Sequence, residues 1–291
     1  MDNKLILKKK IHWDSIFIRV ITIFTALITV GLLFGIISYI MVKGLPLINW
    51  EFLTTGFSYS EQKFNILPMI INTLYLVGIG LIVTVPIGVG GAIYMSEYSK
   101  QGVLLSVIRF TIEILAGIPS IVYGMFGALF FVGYLKMGYS ILAGGFTLAI
   151  ITIPIIVRTT EEALKSVDNT YREAAISMGV NKIYVIKTIL IPCALPGIIT
   201  AIILSMGRMV GESAALLYTS GTAFEMSKNF FSHISESGAS LTVQMYQFFS
   251  EKPQGMEENL PVAIGAVLMV IVFVLNLLTS GISMFFRKKE K

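Results

Sequence analysis

Six separate stretches of this chain are long and apolar enough to cross a lipid bilayer, and nothing else limits its fold as strongly. A bilayer core is about 30 Å thick, so a spanning helix needs roughly 20 mainly apolar residues. The stretches run approximately over 16–42, 66–95, 107–135, 140–157, 195–218 and 261–286. Of the 291 residues, 55% are hydrophobic and 13% charged. Average soluble domains carry about 25% charged residues, so a water-soluble enzyme is excluded first. The expected fold is all-α, a polytopic membrane protein with about six transmembrane helices.

An even number of spans places both ends on one side, and the basic residues say which. One side collects Lys4, Lys8, Lys9, Lys10, Arg19, Lys100, Arg109, Arg158, Lys165, Arg172, Lys182, Lys187, Arg287, Lys288, Lys289 and Lys291. The other holds Lys43, Lys63, Lys136, Lys228 and Lys252. By the positive-inside rule both termini are cytoplasmic. The chain divides into a cytoplasmic segment 1–15 and a transmembrane domain 16–291, with a cytoplasmic loop 158–192 and an outer loop 220–260. The first span is too long for the apolar core of a signal peptide and no A-x-A site follows it, so it is expected to remain as an anchor. The lysine runs read as orientation signals and lipid contacts, and the net charge of +5 therefore does not point to nucleic acid.

Pro86, Pro119, Pro154 and Pro196 lie within the spans. Each removes a backbone donor and can kink a helix; a bundle tolerates them because neighbours satisfy the freed carbonyls. Either they belong to ordinary packing or they mark helices that bend around a path.

The cytoplasmic loop has its own helical pattern. Thr170 followed by Glu173 fits a capping box. Tyr171, Ala174, Ala175 and Met178 recur at i, i+3, i+4 and i+7 and so are expected on one helix face. Gly179 stands where a left-handed C-cap would sit. A second helical stretch over 181–190 carries Ile183, Val185, Ile186, Ile189 and Leu190, and Pro192 is expected to break the chain before the fifth span. Such a pair of short helices either presents an apolar ridge to a partner or rests on the lipid.

Arg208 and Glu212 fall inside the fifth span at i, i+4, on one face. A charge at the bilayer centre costs about 2.5–3.5 kcal/mol on insertion scales and normally faces the bundle interior or a wet cavity. The pair either lets the helix insert or lines an anion path, since the guanidinium fork suits oxyanions.

Chemistry within the chain itself has little support. Cys193 is the one cysteine, and His12 and His233 are the two histidines, far apart; that argues against Cys-cluster or His-based metal sites. No Gly-Lys pair occurs, hence no Walker A loop. Gly211-Glu212-Ser213 is not a nucleophile elbow. The chain is not expected to be an enzyme, and it is expected to bind no cofactor of its own.

The run Glu173-Ala174-Ala175, then Gly179, then Ile189-Leu190-Ile191-Pro192 resembles the EAA loop of ABC-importer permeases. Ile191 replaces the usual leucine before the proline. Three further segments resemble phosphate (Pst) importer permeases: Ala116-Gly117-Ile118-Pro119-Ser120-Ile121-Val122-Tyr123-Gly124, Ile153 to Leu164, and Gly207 to Leu217. The last of these, with Thr242-Val243-Gln244-Met245-Tyr246, is more similar to PstA-type than to PstC-type subunits. The similarity runs from about Thr73 to the C-terminus. Ser213 and Ala215 stand where that type usually has Thr and Pro, and Asn65-Ile66-Leu67 replaces its Gly-Gly-Ile.

The resemblance implies a type I ABC-importer permease fold and an ATP-driven importer of inorganic phosphate in a bacterial plasma membrane. Tyr171, Glu173, Ala174, Ala175, Met178 and Gly179 would form the coupling helix that docks on a separate ATPase. The partners implied are an ATPase dimer (PstB-like) holding ATP and Mg, a sister permease (PstC-like), a phosphate-binding protein (PstS-like) meeting the outer loop, and membrane lipids. The resemblance makes Arg158 a second candidate on the anion route beside Arg208 and Glu212; its bland alternative is snorkelling to the interface. Glu161 and Glu162 either pair with Arg158 or with Arg109, or with nothing, and Glu113 is expected to pair with Arg109. A permease for sulfate or molybdate, or a self-sufficient secondary transporter, is the alternative.

Overall fold

The computed structural model describes residues 13–58, 63–224, 226, 229–253 and 255–288. Residues 1–12 of the N-terminal segment, with Lys4, Lys8, Lys9 and Lys10, lie outside the described residues, as do Lys289, Lys291, Glu225 and Lys228. Among the described residues there is no strand beyond an isolated bridge between Ser58 and Lys63. The helices are α1 (Trp13–Gly44), α2 (Trp50–Thr54), α3 (Leu67–Ile93), α4 (Val103–Gly117), α5 (Ser120–Gly127), α6 (Ile141–Lys165), α7 (Asn169–Ser177), α8 (Lys182–Val185), α9 (Ile191–Val210), α10 (Ala214–Leu217), α11 (Phe230–Ile234), α12 (Leu241–Ser250) and α13 (Leu260–Lys288). The expected all-α membrane architecture is present.

Among the described residues, five helical stretches are long and apolar enough to cross a membrane: Phe17–Leu47, Leu67–Tyr98, Ile141–Lys165, Lys182–Val210 and Leu260–Gly281. The sixth expected span, 107–135, is not one helix. Val103–Gly117 and Ser120–Tyr134 meet at 98°. Pro119 explains the break, because it cannot donate to the helix before it and it holds Ile118 extended, at φ −72° and ψ 132°. The Tyr123 hydroxyl reaches back to donate to the Leu115 carbonyl at 2.7 Å, serving the end of α4. Pro86, Pro154 and Pro196 lie inside continuous helices.

The centre of the bundle is α6, most of whose apolar window is buried. It packs along α3 and α9. Polar groups at the α3–α6 contact are satisfied in place: the Thr84 and Thr152 hydroxyls lie 3.2 Å apart, and Thr84 also donates to the Gly80 carbonyl at 2.7 Å. Such contacts hold helices together where water cannot compete. By contrast, α1 leaves its apolar residues exposed and packs on α13.

Pro192 does not break the chain before the fifth span. The stretch from Lys182 to Val210 is continuous, with a π turn over Ile186–Leu190 placed just before Pro192. A proline leaves a carbonyl of the preceding turn without its donor. Here the turn before the proline is widened, the Ile191 amide donating to the Ile186 carbonyl five residues back. Two more π turns each end a helix, at Tyr94–Tyr98 after α3 and Ala128–Tyr134 after α5.

The segment expected as an outer loop is largely folded into the bundle. Leu241, Val243, Phe248 and Met256 belong to the main hydrophobic core with Met69, Leu76 and Ile264. Asn72 on α3 donates to the Ala239 carbonyl at 3.0 Å, and the Thr73 hydroxyl accepts from the Leu241 amide at 3.0 Å. Asn72 and Thr73 thus tie this segment to α3.

Candidate functional site

Arg208 and Glu212 do not share a helix face as expected, because α9 ends at Val210 with Gly211 as its cap. Glu212 lies beyond it, at the break before α10. The two side chains still meet, Arg208 Nη2 and Glu212 Oε2 being 3.4 Å apart. Glu212 is 4% exposed and Arg208 48%. The carboxylate is held from behind: its Oε1 accepts the Ala215 amide at 3.2 Å, and the Glu212 carbonyl accepts the Thr242 hydroxyl at 2.7 Å. A buried, tethered acid thus holds an arginine whose other face is open.

The break in α9–α10 lies against the break in α4–α5. A Cβ on Gly124 would come 2.7 Å from the Ala215 Cα, so only glycine lets α5 approach α10 this closely. Two interrupted helices therefore meet where the Arg208–Glu212 pair sits. Interrupted backbone inside a membrane is tolerated where protein buries it or a cavity is lined by it.

Arg158 is not brought to this pair. It lies toward the loop end of α6, whereas Arg208 is in the last turn of α9, about 26 Å along the axis from Ile191 at 1.5 Å per residue. Arg158 Nε pairs with Glu162 at 3.3 Å, both side chains exposed. Beside them a cleft is lined by Met95, Arg109, Ile112, Glu113, Val157, Arg158, Glu161, Glu162 and Lys165. Arg109 does not turn to Glu113 as expected. It donates to Glu161 on α6 at 2.7 Å, and Lys165 reaches the same oxygen at 2.6 Å. The nearly buried Glu161 can remain charged there only because two cations face it.

In the loop 158–192, Asp168 rather than Thr170 caps α7. Its Oδ1 accepts the Thr170 amide at 2.9 Å and also the Thr170 hydroxyl. These bonds hold the Asp168 carboxyl below its ordinary pKa. Gly179 takes φ +72°, and the Val180 amide donates to the Ala175 carbonyl at 3.1 Å, the closing bond of a glycine-capped helix end. The four residues expected on one face divide. Ala175 is buried with Val185, Leu190, Ala92 and Leu164. Tyr171, Ala174 and Met178 remain exposed, with Glu173 and Gly179 beside them. The reason is that Ala175 enters the apolar cluster shared by α3, α6 and α8, so the inner edge of α7 joins that core and its outer edge forms the ridge.

Sequence reasoning singled out neither Glu97 nor Arg172. Arg172 Nη2 donates to Glu97 Oε1 at 2.9 Å across 75 positions of sequence, and no local pattern points to such a pair. His233 was also passed over except as a metal ligand. It is buried on the outer side, its Nε2 2.7 Å from Asn72 Oδ1. Burial pushes its pKa below the ordinary value, and Glu236 opposes this.

Comparison with known proteins adds three relatives. The chain is 41% identical over 196 residues to the probable ABC transporter permease protein YqgI of Bacillus subtilis (strain 168), covering 67% of each chain. It is 33% identical over 256 residues to the phosphate transport system permease protein PstA of Haemophilus influenzae, covering 88% of this chain and 87% of that one. Among solved structures it is similar in fold to a chain of a bacterial alginate ABC transporter, crystallised with its alginate-bound periplasmic protein. The TM-score is 0.65 at 17% identity, over 93% of this chain and 96% of that one. Residues 85–290 match the family described as binding-protein-dependent transport system inner membrane component. With its membrane-length helices, its interrupted span and the capped loop that precedes the fifth, the chain belongs to that family, the multi-pass permeases of ABC transporters.

Proposed function

We propose that this chain is the PstA-type permease subunit of an ATP-driven importer of inorganic phosphate in a bacterial plasma membrane, with both termini cytoplasmic. The observation that carries the reading is the half-open guanidinium of Arg208, held 3.4 Å from the buried Glu212 where α9 stops. A phosphate-sized anion needs such donors inside hydrocarbon. Glu212 holds the arginine until the anion arrives, and Arg158 serves nearer the cytoplasm. The curated relatives named as phosphate permeases support the choice of anion.

The chain forms half of the pathway, and a sister permease completes it. A phosphate-binding protein delivers the anion at the outer face. The exposed ridge of Tyr171, Glu173, Ala174, Met178 and Gly179 docks on an ATPase dimer, and the buried Ala175 seats that ridge. ATP and Mg are bound by the ATPase, which biases the permeases through contacts that differ between inward-open and outward-open states.

Uptake of radiolabelled phosphate by the complex reconstituted in liposomes, with sulfate and molybdate in competition, tests this. The expected result is ATP-dependent phosphate uptake little affected by the other two anions, and lost in Arg208→Ala while the complex still assembles. Stronger uptake of sulfate or molybdate, phosphate transport by this chain without an ATPase, or wild-type uptake by the assembled Arg208→Ala complex would overturn it.

A further inference from the structure

Arg172 uses all three nitrogens of its guanidinium. Nη1 donates to the Val167 carbonyl at 2.9 Å and to Asn169 Oδ1 at 3.0 Å, and Nη2 donates to the Leu164 carbonyl at 2.8 Å. Those bonds are local and close the end of α6 onto the start of α7. The remaining two are not. Nε and Nη2 donate to Glu97 Oε1 at 3.2 and 2.9 Å. Glu97 lies in the π turn that ends α3, and the two side chains are 18% and 9% exposed.

Lys182, the first residue of α8, holds the same turn. Its ammonium donates to the Glu97 carbonyl and stands 4.9 Å from the centre of the Tyr98 ring. Both short helices of the cytoplasmic loop therefore grip one turn at the cytoplasmic end of α3.

The chain joins that loop to α6 and α9 but not to α3. A displacement of α7 reaches α6 and α9 through the backbone. It reaches α3 only through side chains. Burial of Ala175 in the same apolar cluster as Ala92 and Met95 is non-directional and permits sliding. Two guanidinium donors converging on one carboxylate oxygen restrict both distance and direction. The π turn is itself a departure from regular helix of the sort that marks functional sites.

We propose that Glu97 and Arg172 are positioning residues that transmit movement of the ATPase-docking loop to α3, so that α3, α6 and α9 shift together. This rests on the docking-loop reading above. Glu97→Ala is the informative variant, because it removes the carboxylate that ties α7 to α3 and leaves in place both the local bonds of Arg172 and the hold of Lys182 on the Glu97 carbonyl.

The test uses the assembled complex in a Cys193→Ser background. Spin labels at Lys100→Cys, after α3, and at Ser177→Cys, on α7, are each paired with a label at Lys136→Cys. Distances are measured with and without ATP, alongside phosphate uptake per ATP hydrolysed. In the otherwise unaltered complex both distances change with ATP. In Glu97→Ala the ATPase stays bound and the α7 distance still changes. The α3 distance no longer does, and uptake per ATP falls about tenfold, the size of a typical coupling between sites. Should Glu97→Ala fail to assemble, Arg172→Lys is measured with the same labels, since it keeps the charge and loses the fork. An α3 distance that still follows ATP, with uptake per ATP unchanged, overturns the proposal. If the wild-type chain binds no ATPase, the docking-loop reading falls and takes the proposal with it.

Discussion

His233 Nε2 lies 2.7 Å from Asn72 Oδ1, joining the outer segment to α3 through two buried side chains. The Asn72 amide already donates to the Ala239 carbonyl, so its oxygen is left to accept, and the neutral ring donates to it. Burial lowers the folded-state pKa of His233, while Glu236 pulls it upward. Below about pH 6.5, the ordinary histidine value, the unfolded segment takes up a proton that the folded one resists. Stability is therefore full above that pH and is lost as pH falls through the lowered folded value. The thermal midpoint of the detergent-solubilised complex should fall between pH 7.5 and 5. His233→Gln should lose most of that pH dependence. An unchanged pH slope in the variant would assign the effect to other groups.

Glu212 is tethered by the Ala215 amide and faces Arg208. Glu212→Ala removes an acceptor from a buried amide, a loss of about 1–3 kcal/mol, and frees the arginine. The complex should unfold at lower temperature. Glu212→Gln, which keeps an acceptor and drops the charge, should recover most of the stability but not the uptake. Equal melting of the Ala and Gln variants would show that the Ala215 contact contributes nothing.

Gly179 has φ +72° and open space around the position of a Cβ. Any cost of a side chain there is a backbone cost, about 1–2 kcal/mol for a left-handed residue. Gly179→Ala should weaken ATPase co-purification, Gly179→Val more so, and Gly179→Asn least, because asparagine tolerates this conformation. A ranking by side-chain size alone would point to steric exclusion by the partner instead.

Gly124 is the opposite case, since a Cβ would stand 2.7 Å from the Ala215 Cα. Backbone cannot yield as a flexible side-chain tip can. Gly124→Ala should destabilise by about 1–3 kcal/mol, the usual cost of overpacking, and should part α5 from α10. Thermal melting of the purified variant measures this, and a wild-type midpoint would mean that the two breaks are not rigidly apposed.

The spans were legible because bilayer thickness imposes a length on every apolar run, and α3, α6 and α13 follow it. Gly179 was legible because its role is local: one residue, one dihedral angle. The 98° bend was not, although Pro119 was noted, because hydropathy runs unbroken across 107–135. The segment 220–260 is not legible as core because Leu241 and Val243 become buried by docking on α13 and on α3, the latter about 170 positions away, beyond the reach of any local pattern. Arg172 was counted merely as a cytoplasmic charge, since Glu97 lies in another span. The Arg208–Glu212 pair was found from its spacing, yet the helix end at Gly211 changes what that spacing means.

The π turn over Ile186–Leu190 has a consequence far from where it lies. Each residue turns an α-helix by about 100°, and a π turn accommodates one residue more than the α-helix would. Every side chain beyond it is thus out of phase with an uninterrupted helix begun at Lys182. The azimuth of Arg208 is set at the opposite end of the span, by a turn placed just before Pro192, and tightening that turn to regular α-helix with no residue removed would point that guanidinium elsewhere without touching it.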